Sequence, residues 1–196
     1  VGWVKRFLLT FVLHKAKQMI TLHNKQFKLF ISQQQIKEYV KQVAAQISRD
    51  FKGQTPLLLP LLNGAFIFAA DLMRQITIDS QIAFARASSY QGTASTGKVH
   101  FDLLFNPDLL RRHPVILVED IIDTGHTIAR ILPHLQQYNP PAIKIACLLH
   151  KPDAFQYPDM KIDYIGVNIE NKFVVGYGLD YDEMGRNYPD IYQLAE

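Results

Sequence analysis

Apolar residues return at intervals of three and four along residues 32–51, at Ile36, Val40, Val43, Ile47 and Phe51, the spacing that lines one face of a helix. Ser32, with Gln35 three residues on, supplies a capping box at its start, and Gly53 punctuates its end. The pattern then changes. Residues 56–62, PLLLPLL, are apolar throughout and stop at Asn63-Gly64, which predicts a short strand buried on both faces. AFIFAADLMRQ (65–75) reads as the helix behind it. Further strands are predicted at residues 82–87, 99–104, 114–118, 143–149 and 163–168. TIARILPHLQQY (127–138) reads as a helix, with Pro133 counting against its regularity. Apolar strands separated by helices predict an α/β protein with a mostly parallel, twisted sheet flanked by helices. In such sheets ligands bind beyond the carboxyl ends of the strands.

Composition adds bounds. A chain of 196 residues, 48% apolar and 20% charged, has the material for one domain with a substantial core and none of the bias of a disordered chain. The single cysteine, Cys147, lies in the apolar run IKIACLLH, cannot form an internal disulfide, and points to a reducing cytoplasm. Of the 21 Lys and Arg, four (Lys5, Arg6, Lys15, Lys17) fall in the first eighteen residues, which hold no acid. That leaves 17 basic against 18 acidic side chains in the body, a net charge of −1, which offers no surplus for nucleic acid. The apolar stretch 7–13 is short, is interrupted by Thr10 and precedes no small-x-small cleavage site, so the pattern predicts neither a signal peptide nor a membrane span. A basic amphipathic anchor is one alternative. The expectation is that residues 1–18 are a non-native extension upstream of a start at Met19, and that 19–196 form a single domain.

The chemistry concentrates in VILVEDIIDTGHTIARIL, where a buried-strand pattern ends in Glu119, Asp120 and Asp123. Adjacent carboxylates at a strand end suit vicinal hydroxyls or Mg²⁺, a hard ion that takes oxygen ligands. DTGHT then opens a helix, where unpaired N–H groups, the Thr124 and Thr127 hydroxyls and the close backbone approach allowed by Gly125 make an anion cradle. Diol binder beside phosphate binder describes a pocket for a ribose 5-phosphate. The plainer alternative is an acidic turn with Asp123 as a helix cap.

A second stretch, GTASTGKV (92–99), nearly spells the nucleoside triphosphate loop. Val99 stands where a hydroxyl residue should hold Mg²⁺, and KVHFDLLF alternates like a strand, so a nucleotide kinase is excluded.

VILVEDIIDTGHT resembles the phosphoribosyl pyrophosphate signature of type I phosphoribosyltransferases, in their hypoxanthine-guanine branch. LLNGAFIFAADL, SSYQGTASTGKV, LLHK and KFVVGYGLDYDEMGR agree with it in order from residue 57 to the C-terminus, and the N-terminal third agrees loosely. The resemblance implies a core over about 50–165, with a small hood from about 19–49 and 166–196. It implies transfer of 5-phosphoribosyl from phosphoribosyl pyrophosphate to N9 of hypoxanthine, with guanine beside it, giving IMP or GMP and pyrophosphate. Glu119 and Asp120 then hold the ribose hydroxyls and Mg²⁺, with Asp180 a further metal contact. Asp123 is the catalytic proton acceptor, and Asp123, Thr124, Gly125, His126 and Thr127 bind the 5-phosphate. Lys151, Phe173 and Val174 bind the purine, and Asn63, Gly64 and Arg186 bind pyrophosphate. Ser89 and Tyr90 belong to a mobile loop that closes over the reacting carbon. Partners are small molecules, with neither nucleic acid nor membrane, and the subunit forms a homodimer or homotetramer. Two positions depart from the pattern: Asn63 replaces a lysine, in a Lys-Gly pair that often carries a cis peptide, and His126 replaces another lysine. The alternatives are a transferase for another base, such as xanthine, and a regulatory nucleotide-binding protein of the same fold.

Overall fold

Ser32 opens the first helix as its pattern requires: its hydroxyl accepts the Gln35 N–H, and the Gln35 side chain accepts the Ser32 N–H at 3.0 Å. The helix, α1 (Gln33–Asp50), buries Ile36, Val40, Val43, Ala44 and Ile47 along one stripe. The computed structural model describes residues 18–89 and 99–195. Residues 1–17, the greater part of the expected extension, and residues 90–98, with Tyr90 and most of the rejected nucleotide loop, lie outside the described residues.

The main sheet runs in the order β6-β5-β3-β7-β8-β9, with β4 also paired to β3. Its strands are β3 (Leu57–Leu62), β4 (Gln81–Ile82), β5 (Ala85–Ser89), β6 (Val99–Leu103), β7 (Val115–Ile122), β8 (Ile143–His150) and β9 (Tyr164–Asn168). All of its pairings are parallel except β5 with β6. Alternate residues of the central strands feed two cores. Leu58, Ile116, Val118, Ala146 and Leu148 pack with α1 and with α2 (Phe66–Gln75). Leu57, Leu59, Val115, Leu117, Ile145 and Cys147 pack with Ile128, Ile131 and Leu135 of α4 (His126–Gln136). Each of the Leu, Ile and Val side chains contributes about 1.5–3 kcal/mol by leaving water, which is why the strands read as unbroken apolar runs.

Two strands differ from expectation. The single strand expected over 82–87 is split into β4 and β5, and Pro60 accounts for the break. Pro60 has the parity of Leu58, whose carbonyl accepts the Ala83 N–H at 3.1 Å, so its ring faces the same neighbour with no N–H to donate. Strand β7 runs on to Ile122 rather than stopping at residue 118, so Glu119 and Asp120 lie within the ladder.

The termini build a second, antiparallel sheet in the order β1-β2-β11-β10, from β1 (Met19–Leu22), β2 (Lys25–Ile31), β10 (Val174–Val175) and β11 (Ile191–Leu194). Ile20, Leu22, Phe27, Val175 and Tyr192 form its core. The expected hood assigned α1 to this unit. Instead the apolar stripe of α1 is buried against α2 and the main sheet, so α1 is one of the core's flanking helices. A short helix, α3 (Asp108–Arg112), precedes β7.

Candidate active site

The carboxyl end of β7 carries two acids side by side. Glu119 is 8% exposed, opposite Cys147 of β8, and burial, followed by the charge of Asp120, pushes its carboxyl well above the usual range. Asp120 is pushed up to about 6, chiefly by burial. The Ile121 N–H, donating to Oδ1 at 2.8 Å, Asp120's own backbone N–H and the charge of Arg186 oppose that rise, while Asp180 adds to it. The pair is thus held at a site that lacks enough positive charge to stabilise it.

Past Ile122 the chain turns through Asp123, Thr124 and Gly125 into α4. Gly125 has φ +83° and caps the helix, a left-handed conformation that suits glycine. A Cβ there would also press on the rings of Phe155 and Tyr157, with Phe155 Cδ2 at 3.0 Å. The helix begins at His126, one residue earlier than expected, so the N–H groups of its first turn face outward unpaired by helix carbonyls. The His126 N–H makes one long bond to Thr124 Oγ1 at 3.4 Å, and its ring Nδ1 lies 2.7 Å from the Tyr157 hydroxyl. Glu119 and residues 121–128 line a small concavity here.

Lys151 follows β8 and turns back to this corner. Its ammonium lies 2.6 Å from Asp123 Oδ2 and 3.4 Å from Asn171 Oδ1, while its backbone N–H donates to Ile122 O at 2.9 Å. Phe173, 46% exposed, lies at the edge of the second sheet, backed by Phe27 and Tyr181, with the Lys25 ammonium 5.9 Å from its ring centroid. Val174 is buried, in β10 opposite Gln193.

The loop after β3 completes the arrangement. The Leu62–Asn63 peptide is cis, the bond just before the Asn63-Gly64 pair. A Cβ on Gly64 would collide with the Asp120 carboxylate, and one on Gly178 would strike the Gly64 carbonyl, so three segments distant in sequence meet within van der Waals reach. Arg186 is held there by Asp180 Oδ1 at 2.8 Å and by the Gly178 carbonyl at 2.8 Å.

Glu119, Asp120, the 123–127 turn, Lys151 and the 63–64 loop therefore converge, with Arg186 and Asp180 along their border. Ser89 ends β5, paired with Val99, and Tyr90 lies outside the described residues. No group of three or more His, Cys, Asp or Glu among the described residues is placed to hold a metal by itself. The Glu119–Asp120 pair still fits Mg²⁺, which uses one or two carboxylates and completes its shell from water and substrate oxygens. Asn171, Tyr157 and His150 were not singled out from sequence. The first two act through contacts between separate loops, and no local spacing signals these.

The chain is similar to known proteins along most of its length. The family described as the phosphoribosyl transferase domain matches residues 31–182. The hypoxanthine-guanine phosphoribosyltransferase of Streptococcus pneumoniae is 39% identical over 176 residues, 89% of this chain and 97% of that protein. The hypoxanthine-guanine-xanthine phosphoribosyltransferase of Tritrichomonas foetus is 32% identical, over 86% of this chain and 92% of its own length. Among solved structures, a hypoxanthine-guanine phosphoribosyltransferase from Bacillus anthracis superposes with a TM-score of 0.76 at 40% identity, covering 85% of this chain and 97% of its own. The hypoxanthine phosphoribosyl transferase of Trypanosoma cruzi does so with a TM-score of 0.78 at 32% identity, covering 90% and 95%.

Proposed function

The chain belongs to the phosphoribosyltransferase family, and on that premise we propose that it transfers 5-phosphoribosyl from phosphoribosyl pyrophosphate to N9 of hypoxanthine and guanine. The observation that carries the choice of base is the Lys151–Asp123 pair at 2.6 Å. A 6-oxopurine presents a carbonyl oxygen and, across its five-membered ring, a nitrogen-bound proton. The ammonium of Lys151 donates to the oxygen and Asp123 accepts the proton, so the base replaces the ion pair with two matched contacts. Adenine would set an amino donor against the ammonium, which has no acceptor.

In the reaction the C1′–oxygen bond to pyrophosphate breaks and the C1′–N9 bond forms, through a sugar carbon with oxocarbenium character. Glu119 and Asp120 bind the ribose hydroxyls below that carbon, and their negative charge favours it. The first-turn N–H groups of α4, with the Thr124 and Thr127 hydroxyls, take the 5-phosphate, displacing the long His126 N–H contact. Backbone N–H groups at Asn63-Gly64, with Arg186, receive the departing pyrophosphate, so Asn63 replaces lysine without loss of the backbone donors. Phe173 stacks on the purine and the Val174 backbone meets its edge. Mg²⁺, held by Glu119 and Asp120 with Asp180 at the border, would neutralise the pyrophosphate and make it a better leaving group. Ser89, at the end of β5, and Tyr90 beside it are assigned to the exclusion of water, which would otherwise hydrolyse the donor.

Self-association into a homodimer or homotetramer belongs to the same reading, and exposed Phe66, Phe84 and Leu104 supply apolar surface for it. No helix among the described residues is long and apolar enough to cross a membrane, and the buried free thiol of Cys147 suits a cytoplasmic location. The deciding experiment is a spectrophotometric assay with phosphoribosyl pyrophosphate, Mg²⁺ and hypoxanthine, guanine, xanthine or adenine in turn. Turnover with the 6-oxopurines and none with adenine is the expected outcome. Turnover with adenine alone, or with no base, would overturn the assignment.

A further inference from the structure

We propose that Tyr157 is a positioning residue for the phosphate-binding turn, acting through His126. The proposal rests on the reading of residues 124–127 as the 5-phosphate clamp.

After β8 the segment 152–160 folds back across that turn and meets it at three consecutive residues. The Phe155 ring fills the space beside Gly125 where a side chain would be. The Gln156 N–H donates to the Thr124 carbonyl at 3.1 Å. The Tyr157 hydroxyl meets His126 Nδ1 at 2.7 Å, with the two rings edge to face at 5.5 Å. The clamp has its own support: Phe155 stands edge to face with His150 at 5.3 Å and with Tyr157 at 6.3 Å. His150 is buried and fixed through Nδ1 to Asn168 Oδ1 at 3.0 Å, which ties the assembly to β9.

His126 is the residue that needs such help. Its side chain is exposed at the first position of α4, where a free imidazole would sample several rotamers. The bond between the Tyr157 hydroxyl and Nδ1 holds the ring still, at the helix end whose partial positive charge draws anions. Packing at Phe155 sets the path of the turn, the Gln156 bond sets the Thr124 carbonyl, and Tyr157 sets the imidazole. All three contacts fall on residues 124–126, the stretch read as the phosphate clamp.

The test compares dissociation constants of inosine 5′-monophosphate and of inosine, which lacks the phosphate, in wild type, Tyr157→Phe, His126→Asn and the double variant. Tyr157→Phe keeps the ring that packs on Gly125 and loses one hydrogen bond, so monophosphate affinity should fall about three- to tenfold with inosine unchanged. His126→Asn should show the same selective loss, and the double variant no more than His126→Asn alone. Unchanged monophosphate affinity in Tyr157→Phe, equal losses for both ligands, or fully additive losses would each overturn the proposal. If Tyr157→Phe fails to fold, His126→Asn decides by itself, and unchanged monophosphate affinity there overturns it. Equal wild-type affinity for monophosphate and inosine would instead remove the phosphate clamp itself, a failure distinct from that of Tyr157.

Discussion

Lys151 and Asp123 stand 28 residues apart in sequence, yet an ammonium of one lies 2.6 Å from a carboxylate oxygen of the other. The parallel register of β7 and β8 brings this about. Ile122 is opposite His150, so the residue after each strand reaches the same corner. The pair is asymmetric, with the Lys151 side chain 7% exposed and that of Asp123 44%. Asp123 is therefore the solvent-facing member of the pair and Lys151 the buried one.

For Asp123→Asn we expect turnover to fall about 10²–10⁴-fold, the usual contribution of a positioned proton acceptor, with donor affinity within threefold of wild type. Asp123→Ala should also cost about 1–2 kcal/mol of stability, because it leaves the buried ammonium with Asn171 alone; the solvent access of Asp123 keeps the cost below that of a fully buried pair. Steady-state kinetics, titration with phosphoribosyl pyrophosphate and urea unfolding check the three statements. Unchanged turnover in Asp123→Asn would remove this carboxylate from the reaction.

The acid pair at the end of β7 predicts an unusual pH dependence. In the unfolded chain Asp and Glu titrate near their reference values of about 4, whereas in the fold Asp120 titrates at about 6 and Glu119 well above its reference. Between those limits the native state binds more protons than the unfolded state. The contribution of this pair to stability without metal and substrate therefore falls as pH rises from about 4 through 6 and beyond, the reverse of the behaviour of a salt-bridged carboxylate. Asp120→Asn removes part of that slope, so relative to wild type it should be more stable by about 1–2 kcal/mol at pH 7.5 and gain little at pH 4.5. The same variant should bind donor more weakly. Equal gains at both pH values, read from urea midpoints in chelator, would show that burial of Asp120 carries no such penalty.

The parts of the fold legible in the sequence are those where one residue pattern has one structural solution. The stripe from Ile36 to Ile47 and the runs around Leu58, Leu117 and Leu148 could bury themselves only as a helix and as two-faced strands. The first hairpin carries a weaker signal, although Ile20 and Leu22, then Phe27 and Ile31, are buried at even spacing on either side of a turn at His23, whose φ is +49°. Four residues are too few for alternation to stand out, and β2 pairs with β11 from the far end of the chain. The site divides in the same way. The run from Glu119 to Thr127 is contiguous and could be read directly. The approach of Gly178 to Gly64 and of Tyr157 to His126 depends on loops that only the folded sheet brings together.

Phe173 offers a cleaner separation of binding from folding. The residue is 46% exposed, so Phe173→Ala costs less than truncating a fully buried aromatic ring. Loss of a stacking partner for a nucleobase should weaken purine binding by about 1–3 kcal/mol, roughly five- to 150-fold. We expect the hypoxanthine KM to rise within that range, while the thermal midpoint moves by only a few degrees. A KM unchanged within twofold would show that the base does not stack on this ring.

Gly64 tests the contact between the cis-peptide loop and the acid strand. A methyl group there would overlap the Asp120 carboxylate, and the Gly178 backbone approaches the Gly64 carbonyl from another side. The clash can be relieved only by turning Asp120 away or by shifting the loop, and either movement separates the donors at residues 63–64 from the ribose-binding acids. Gly64→Ala should therefore cost about 1–3 kcal/mol of stability through overpacking and weaken donor binding by at least tenfold. Pairing Gly64→Ala with Asp120→Gly tests the cause, since removing the carboxylate makes room for the methyl. The stability lost by Gly64→Ala should then shrink by half or more in the Asp120→Gly background, measured as a double-mutant cycle. A loss of the same size in both backgrounds would show that the strain arises in the loop itself, and that Gly64 is not the point where the loop meets the carboxylate.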